Sequence, residues 1–167
     1  MFRVLYRYIC MISTCACLVA VPAHSNPDNV ALTVDILDND GALVETVVMT
    51  LEDIKALPTA QFDTTTIWTS GPQVFTGIWL ETLLSSLDVD SGQIELRALN
   101  DYHITLPVSE AAQDGAMLAY WRNYETMSAR ENGPFWLVYD YDSDPKYRSE
   151  TYYSRSIWQL DHITVSR

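Results

Sequence analysis

"TTTIWTSGPQVFTGIWLETLL", Thr64–Leu84, is the stretch on which the fold turns. Its opening, Thr64–Thr69, is entirely β-branched or aromatic, the composition of a strand, and the strand is read as Phe62–Thr69. Ser70-Gly71-Pro72 breaks it, because glycine supplies unusual backbone angles and proline removes a ladder donor. From about Gly77, the residues Ile78, Leu80, Leu83, Leu84 and Leu87 recur at helical spacing and predict a helix over 77–87.

Working outward, Val30–Leu37 alternates, with Leu32, Val34 and Ile36 on one side and Thr33 and Asp35 on the other. That is a half-buried strand. Asp38–Gly41 has hairpin chemistry, and Leu43–Met49 is the return strand. "TLEDIKALP" predicts a helix over Leu51–Leu57, capped by Thr50 with Asp53 at the third position and stopped by Pro58. Downstream, strands are predicted over Gln93–Leu99, Tyr102–Pro107, Met117–Arg122, Phe135–Tyr141 and Ile157–Val165. "VSEAAQDG" reads as a helical turn or loop, and "DSDPKYRSETYYSRS" as a long polar loop. The fold class is therefore α+β: one mostly β domain with two or three short helices. An immunoglobulin-like sandwich fits the strand spacing but leaves the two helices unexplained.

The first 25 residues do not belong to that domain. Arg3 and Arg7 precede an apolar run from Ile9 to Val21, and Ala23 and Ser25 stand where signal peptidase needs small residues. The run is too short for a membrane span, so residues 1–25 read as a secretory signal and residues 26–167 as the mature domain. A retained amphipathic anchor is the alternative. The expected location is periplasmic or secreted, with no membrane insertion after cleavage. Cys10, Cys15 and Cys17 all fall in the signal, so the mature chain has no disulfide, thiolate nucleophile or sulfur ligand. Cleavage also removes two basic residues and no acids, taking the net charge from −12 to −14. Such a surface argues against nucleic acid and anionic membranes as partners, and it serves solubility.

Catalytic signatures are missing: there is no Gly-x-Ser-x-Gly, His-Glu-x-x-His, phosphate-cradling loop or Cys-x-x-Cys. His103 and His162 lie in predicted strands, where a surface histidine is the ordinary reading. Asp140, Asp142 and Asp144 alternate like calcium-loop ligands, but Pro145 stands where the turn glycine is needed and Glu150 comes one residue early. A solvated acidic loop is favoured there. Tyr147, Tyr152 and Tyr153 interleave with Lys146, Arg148 and Arg155. A basic, aromatic patch on an acidic protein suits an anionic or planar ligand, as well as simple snorkelling over a loop.

Taken in order, "TLEDIKALP", "FTGIWLETLL", "ELRALNDYHITLPVSEA", "GAMLAYWRNYETMSARENGPFWLVYDYD" and "SRSIWQLDHITV" resemble the molybdopterin-binding domain of the sulfite oxidase family, over about Thr50–Val165. The likeness is greatest to its small secreted single-domain members. The resemblance implies an α+β fold and, in the enzymes, a molybdenum cofactor held by pterin contacts and one cysteine thiolate. The matching region here, Thr64–Pro72, offers Thr65, Thr66, Ile67, Trp68, Thr69 and Ser70, and a hydroxyl does not replace a soft thiolate at molybdenum. The resemblance also implies additional cofactor-contacting chain at the front of the enzymes, where this sequence enters the strand Val30–Leu37 almost at once. Both departures count against oxygen-atom transfer.

Three functions follow. The leading one is a secreted, non-redox binding or sensing module, with molybdopterin not assured as a cofactor. Its ligand, a pterin, another small anion or a partner's peptide, is expected between the Trp68–Phe75 segment and a hairpin and loop. The contacts expected are Trp68, Thr69, Ser70, Arg97, His103, Arg130 and Arg155. The second is a genuine molybdopterin oxidoreductase without a cysteine ligand. The third is a structural subunit attached to a periplasmic or membrane protein partner.

Overall fold

The structure is a computed structural model, which describes residues 30–113 and 115–167. The predicted signal peptide, its three cysteines and the leader Asn26–Asn29 lie outside the described residues. The mostly β, α+β class is what the chain adopts. Ten strands form one connected sheet: β1 (Val30–Leu37), β2 (Leu43–Thr50), β3 (Ala60–Thr65), β4 (Pro72–Trp79), β5 (Gln93–Ala98), β6 (His103–Pro107), β7 (Met117–Arg122), β8 (Glu125–Thr126), β9 (Phe135–Val138) and β10 (Trp158–Ser166). Among the described residues four short α-helices punctuate them: α1 (Leu51–Lys55), α2 (Leu80–Ser86), α3 (Val108–Gln113) and α4 (Glu150–Arg155).

The sheet runs β2-β1-β10-β9-β7-β4-β3, and β5 leaves this path by pairing with β10 and β6. The β1–β10 pair is parallel, with Thr33 opposite His162, and its neighbours are antiparallel. Strand β10 is the hub, since β1, β5 and β9 all pair with it. One connected sheet with a parallel pair and four helices is not the immunoglobulin sandwich.

Local chemistry explains much of this. Thr50 caps α1 in a full capping box: Asp53 N donates to its hydroxyl at 3.2 Å, and Thr50 N donates to the Asp53 carboxylate at 2.8 Å. The Thr50 hydroxyl also donates to the Asp53 carboxylate at 2.6 Å, and that bond first, then the one from Thr50 N–H, holds the Asp53 carboxyl below its usual range. Strands β7 and β9 are buried on both faces. Leu118, Tyr120 and Leu137 enter the main core with Leu32, Val34, Ile94, Leu96, Leu83 and Ile163, while Met117, Ala119, Trp136 and Val138 join Phe75 and Met127 in a second cluster. Double burial is why "MLAYW" and "FWLV" read as unbroken apolar runs.

Three expectations change. The helix expected from Gly77 begins at Leu80; Gly77, Ile78 and Trp79 instead end β4, where Gly77 pairs with Ala119. A Cβ at Gly77 would lie 2.2 Å from the Leu118 carbonyl oxygen, so only glycine lets these backbones meet. The strand read as Phe62–Thr69 is Ala60–Thr65, and Ser70-Gly71-Pro72 closes a β3–β4 hairpin with Thr65 opposite Pro72. Its loop is held by Thr66, whose hydroxyl accepts from the N–H groups of Trp68 at 3.1 Å and Thr69 at 3.0 Å. The polar stretch after Tyr141 is partly helical, with a 3₁₀ turn at Pro145–Tyr147 and then α4.

Candidate functional site

Trp68, in the β3–β4 loop, folds back onto the sheet and meets four rings nearly edge-on. Trp136 lies 5.8 Å away, Tyr141 6.1 Å, Tyr153 5.7 Å and Trp158 5.7 Å, with interplanar angles of 65–85°. Such perpendicular pairs set the positive edge of one ring against the negative face of another. Beside this cluster opens a groove of about 320 Å³. Trp68, Tyr153 and Trp158 line it, with Ala98, Asn100 and Tyr102 from the β5–β6 hairpin and Ser154, Ser156 and Ile157 from the α4–β10 connection. None of the nine carries a charge.

Backbone devices hold these walls together. Gln159 takes a left-handed conformation (φ +56°) inside a bulge of β10, between Trp158 and Leu160. Its carbonyl accepts from Leu99 N at 2.9 Å, tying the hairpin turn to β10. The Tyr102 hydroxyl donates to the Ser154 carbonyl at 3.0 Å, a second tie across the rim. Asp101 (φ +64°) makes the tight turn that brings Asn100 and Tyr102 together, and Asn100 Oδ1 accepts from Tyr102 N at 3.2 Å. Beneath the groove, Trp136 Nε1 donates to the Ser156 carbonyl at 3.2 Å, and the Tyr141 and Ser156 hydroxyls are hydrogen-bonded to each other. Burial pushes the Tyr141 phenol far up, so it stays neutral.

The seven residues expected at the site are spread out, and Trp68 alone lines the groove. Thr69 sits in the same loop, its hydroxyl 2.8 Å from that of Thr66, while Ser70 is exposed and its carbonyl accepts from Gln73 Nε2. Arg97 is adjacent to Ala98 in β5 and therefore points to the opposite sheet face. His103 is opposite Arg97 in the ladder and shares that outer face, as does His162, the next residue across on β10. Arg130 is exposed on a 3₁₀ turn at Ala129–Glu131. Arg155 ends α4 and turns to Glu110 of α3, with its guanidinium 5.7 Å from the Tyr152 ring centre. The hairpin lines the groove through its turn and inner face, at Ala98, Asn100 and Tyr102.

Of the aromatics singled out in sequence, Tyr153 lines the groove; Tyr147 and Tyr152 pack on the core and against Tyr139. Asn100, Tyr102, Ser154 and Trp158 carry no motif of their own. Their only signal is position, at a turn and at the ends of a helix and a strand. The alternate aspartates do separate work. Asp142 accepts from Thr65 N at 2.7 Å and Thr65 Oγ1 at 2.8 Å and pairs with Arg148, whereas Asp144 accepts from Lys146 N. Those bonds, Thr65 N–H first, hold the Asp142 carboxyl below its usual range. Among the described residues no three His, Cys, Asp or Glu side chains gather as a metal site would require, and no helix is long and apolar enough to cross a membrane.

Comparison with protein-family models finds no match, and comparison with curated proteins finds none.

Proposed function

We propose that this chain is a secreted binding or sensing module of the sulfite oxidase molybdopterin-binding type, without redox chemistry of its own. The observation that carries the reading is the Trp68 groove: a preformed concavity at a junction of loop, hairpin and helix end, walled by aromatic rings. The fold type is supported by the order of the quoted segments. They correspond to α1, the β4–α2 corner, the β5–β6 hairpin, the β7–β9 pair and β10.

The residues do not fit a molybdenum–pterin group. Thr65–Ser70 offers hydroxyls and an indole where a thiolate would be required, and the Thr66 hydroxyl is already committed to its own turn. The groove holds no cation for a pterin phosphate, and Arg155 is turned toward Glu110.

Metal analysis and pterin fluorescence of the secreted protein, purified from its native host, test the reading. The expected result is molybdenum far below one atom per chain and no pterin released on denaturation. Stoichiometric molybdenum would overturn it in favour of an oxidoreductase.

A further inference from the structure

We infer that the groove takes a planar aromatic molecule of about two fused rings that bears no negative charge. This rests on reading the groove as a ligand site, and it specifies the occupant's chemistry by size, charge and hydrogen bonding. A cavity of about 150 Å³ accommodates one benzene ring. The groove's volume of about 320 Å³ therefore suits a bicyclic system.

Charge comes next. All nine lining residues are neutral, in a chain whose net charge is −12. An anion entering would shed water, gain no cation and meet a repelling overall field.

Hydrogen bonding then separates an aromatic ring from a sugar. Three of the four hydroxyls on the wall are already donating inward: Tyr102 to the Ser154 carbonyl, Ser154 to the Thr151 carbonyl at 2.9 Å, and Ser156 to the Tyr152 carbonyl at 2.7 Å. A sugar would bury several ring hydroxyls against a wall with few groups left to pair them, an unfavourable exchange. The donors left are few. Asn100 accepts through Oδ1 and keeps its amide N–H₂, and the Tyr153 hydroxyl and the indole N–H groups of Trp68 and Trp158 make no hydrogen bond among the described residues. Four scattered donor groups among aromatic surfaces match a flat ring bearing nitrogen or carbonyl acceptors.

The test is NMR titration of the ¹⁵N-labelled secreted protein with three probes: quinoxaline, quinoxaline-2-carboxylate and maltose. Quinoxaline is expected to shift the Trp68 and Trp158 indole signals and the Asn100 side-chain amide. The carboxylate is expected to bind about tenfold more weakly or worse, as one uncompensated buried charge requires. Maltose is expected to leave these signals unmoved. Ser154→Trp, at an exposed position, fills the groove and is expected to abolish the quinoxaline shifts while the melting temperature holds. Asn100→Asp keeps the acceptor used by Tyr102 but removes the donor, and is expected to weaken quinoxaline several-fold. Carboxylate binding as tightly as quinoxaline, or maltose moving the same signals, overturns the aromatic inference while the groove stands as a ligand site. If no probe moves these signals, the ligand-site reading falls with it.

Discussion

Trp68 shows how one side chain can organise a region. It lies in a hairpin loop, yet it touches Trp136, Tyr141, Tyr153 and Trp158, which come from three separate parts of the chain. Trp68→Ala is expected to cost about 3–5 kcal/mol in urea unfolding, the range for large aromatic truncations in packed surroundings. Asp142 is the electrostatic counterpart, pinning the end of β3 to the loop after β9 through Thr65. Its folded carboxyl titrates below the ordinary value of 3.8. Its contribution is therefore complete above that value and is lost as the pH falls through the lower, folded one. Asp142→Asn is expected to flatten the fall in stability on acidification below about pH 4, where an aspartate begins to take up its proton. Unfolding midpoints measured from pH 6 to pH 3 in both proteins check this; parallel curves would contradict it.

At the scale of elements, Gly77 decides where β4 ends and α2 begins. The apolar spacing Ile78, Leu80, Leu83, Leu84 suggests a helix from Gly77 because a strand buried on both faces loses its period of two. Ile78 enters the main core while Phe75 and Thr76 are also buried, so alternation is erased just where the helix begins. Gly77→Ala is expected to destabilise by at least about 2 kcal/mol, since its methyl would meet the Leu118 carbonyl and push β4 from β7. Denaturant unfolding measures the loss, and an unchanged midpoint would show that the backbone can yield. By contrast, the start of α1 was legible from the Thr50–Asp53 capping box, although the helix expected over Leu51–Leu57 ends at Lys55. Helix α4 was not. Glu150–Arg155 has weak intrinsic helix formers and no side-chain cap, and Tyr152 and Tyr153 are held by packing on the core.

The whole molecule adds a strongly acidic field to a small, doubly packed sheet. With a net charge of −12, like charges repel in the compact state. Raising the salt from about 0.01 M to about 0.15 M shortens the screening length from about 30 Å to about 8 Å. The melting temperature at pH 7 is expected to rise by a few degrees over that range, as read by calorimetry, and a fall would mean that specific ion pairs outweigh the repulsion. The groove is a product of the same scale, because its nine lining residues span from Trp68 to Trp158 and meet only when β10 collects β1, β5 and β9.

The sequence by itself determined the α+β class, most strand positions, the α1 cap, the acidic surface and the absence of any cysteine beyond Cys17. Each follows from composition or from neighbours within a few residues. Tertiary structure decided that Gly77 lies in a strand and that the stretch after Tyr141 forms a helix. It also turned Arg97 and His103 to the outer face, while Ala98, Asn100 and Tyr102 line the groove. The reason is physical. Pattern reports the period of burial, but which face is buried, and against what, depends on strands pairing across more than a hundred residues, as β1 does with β10.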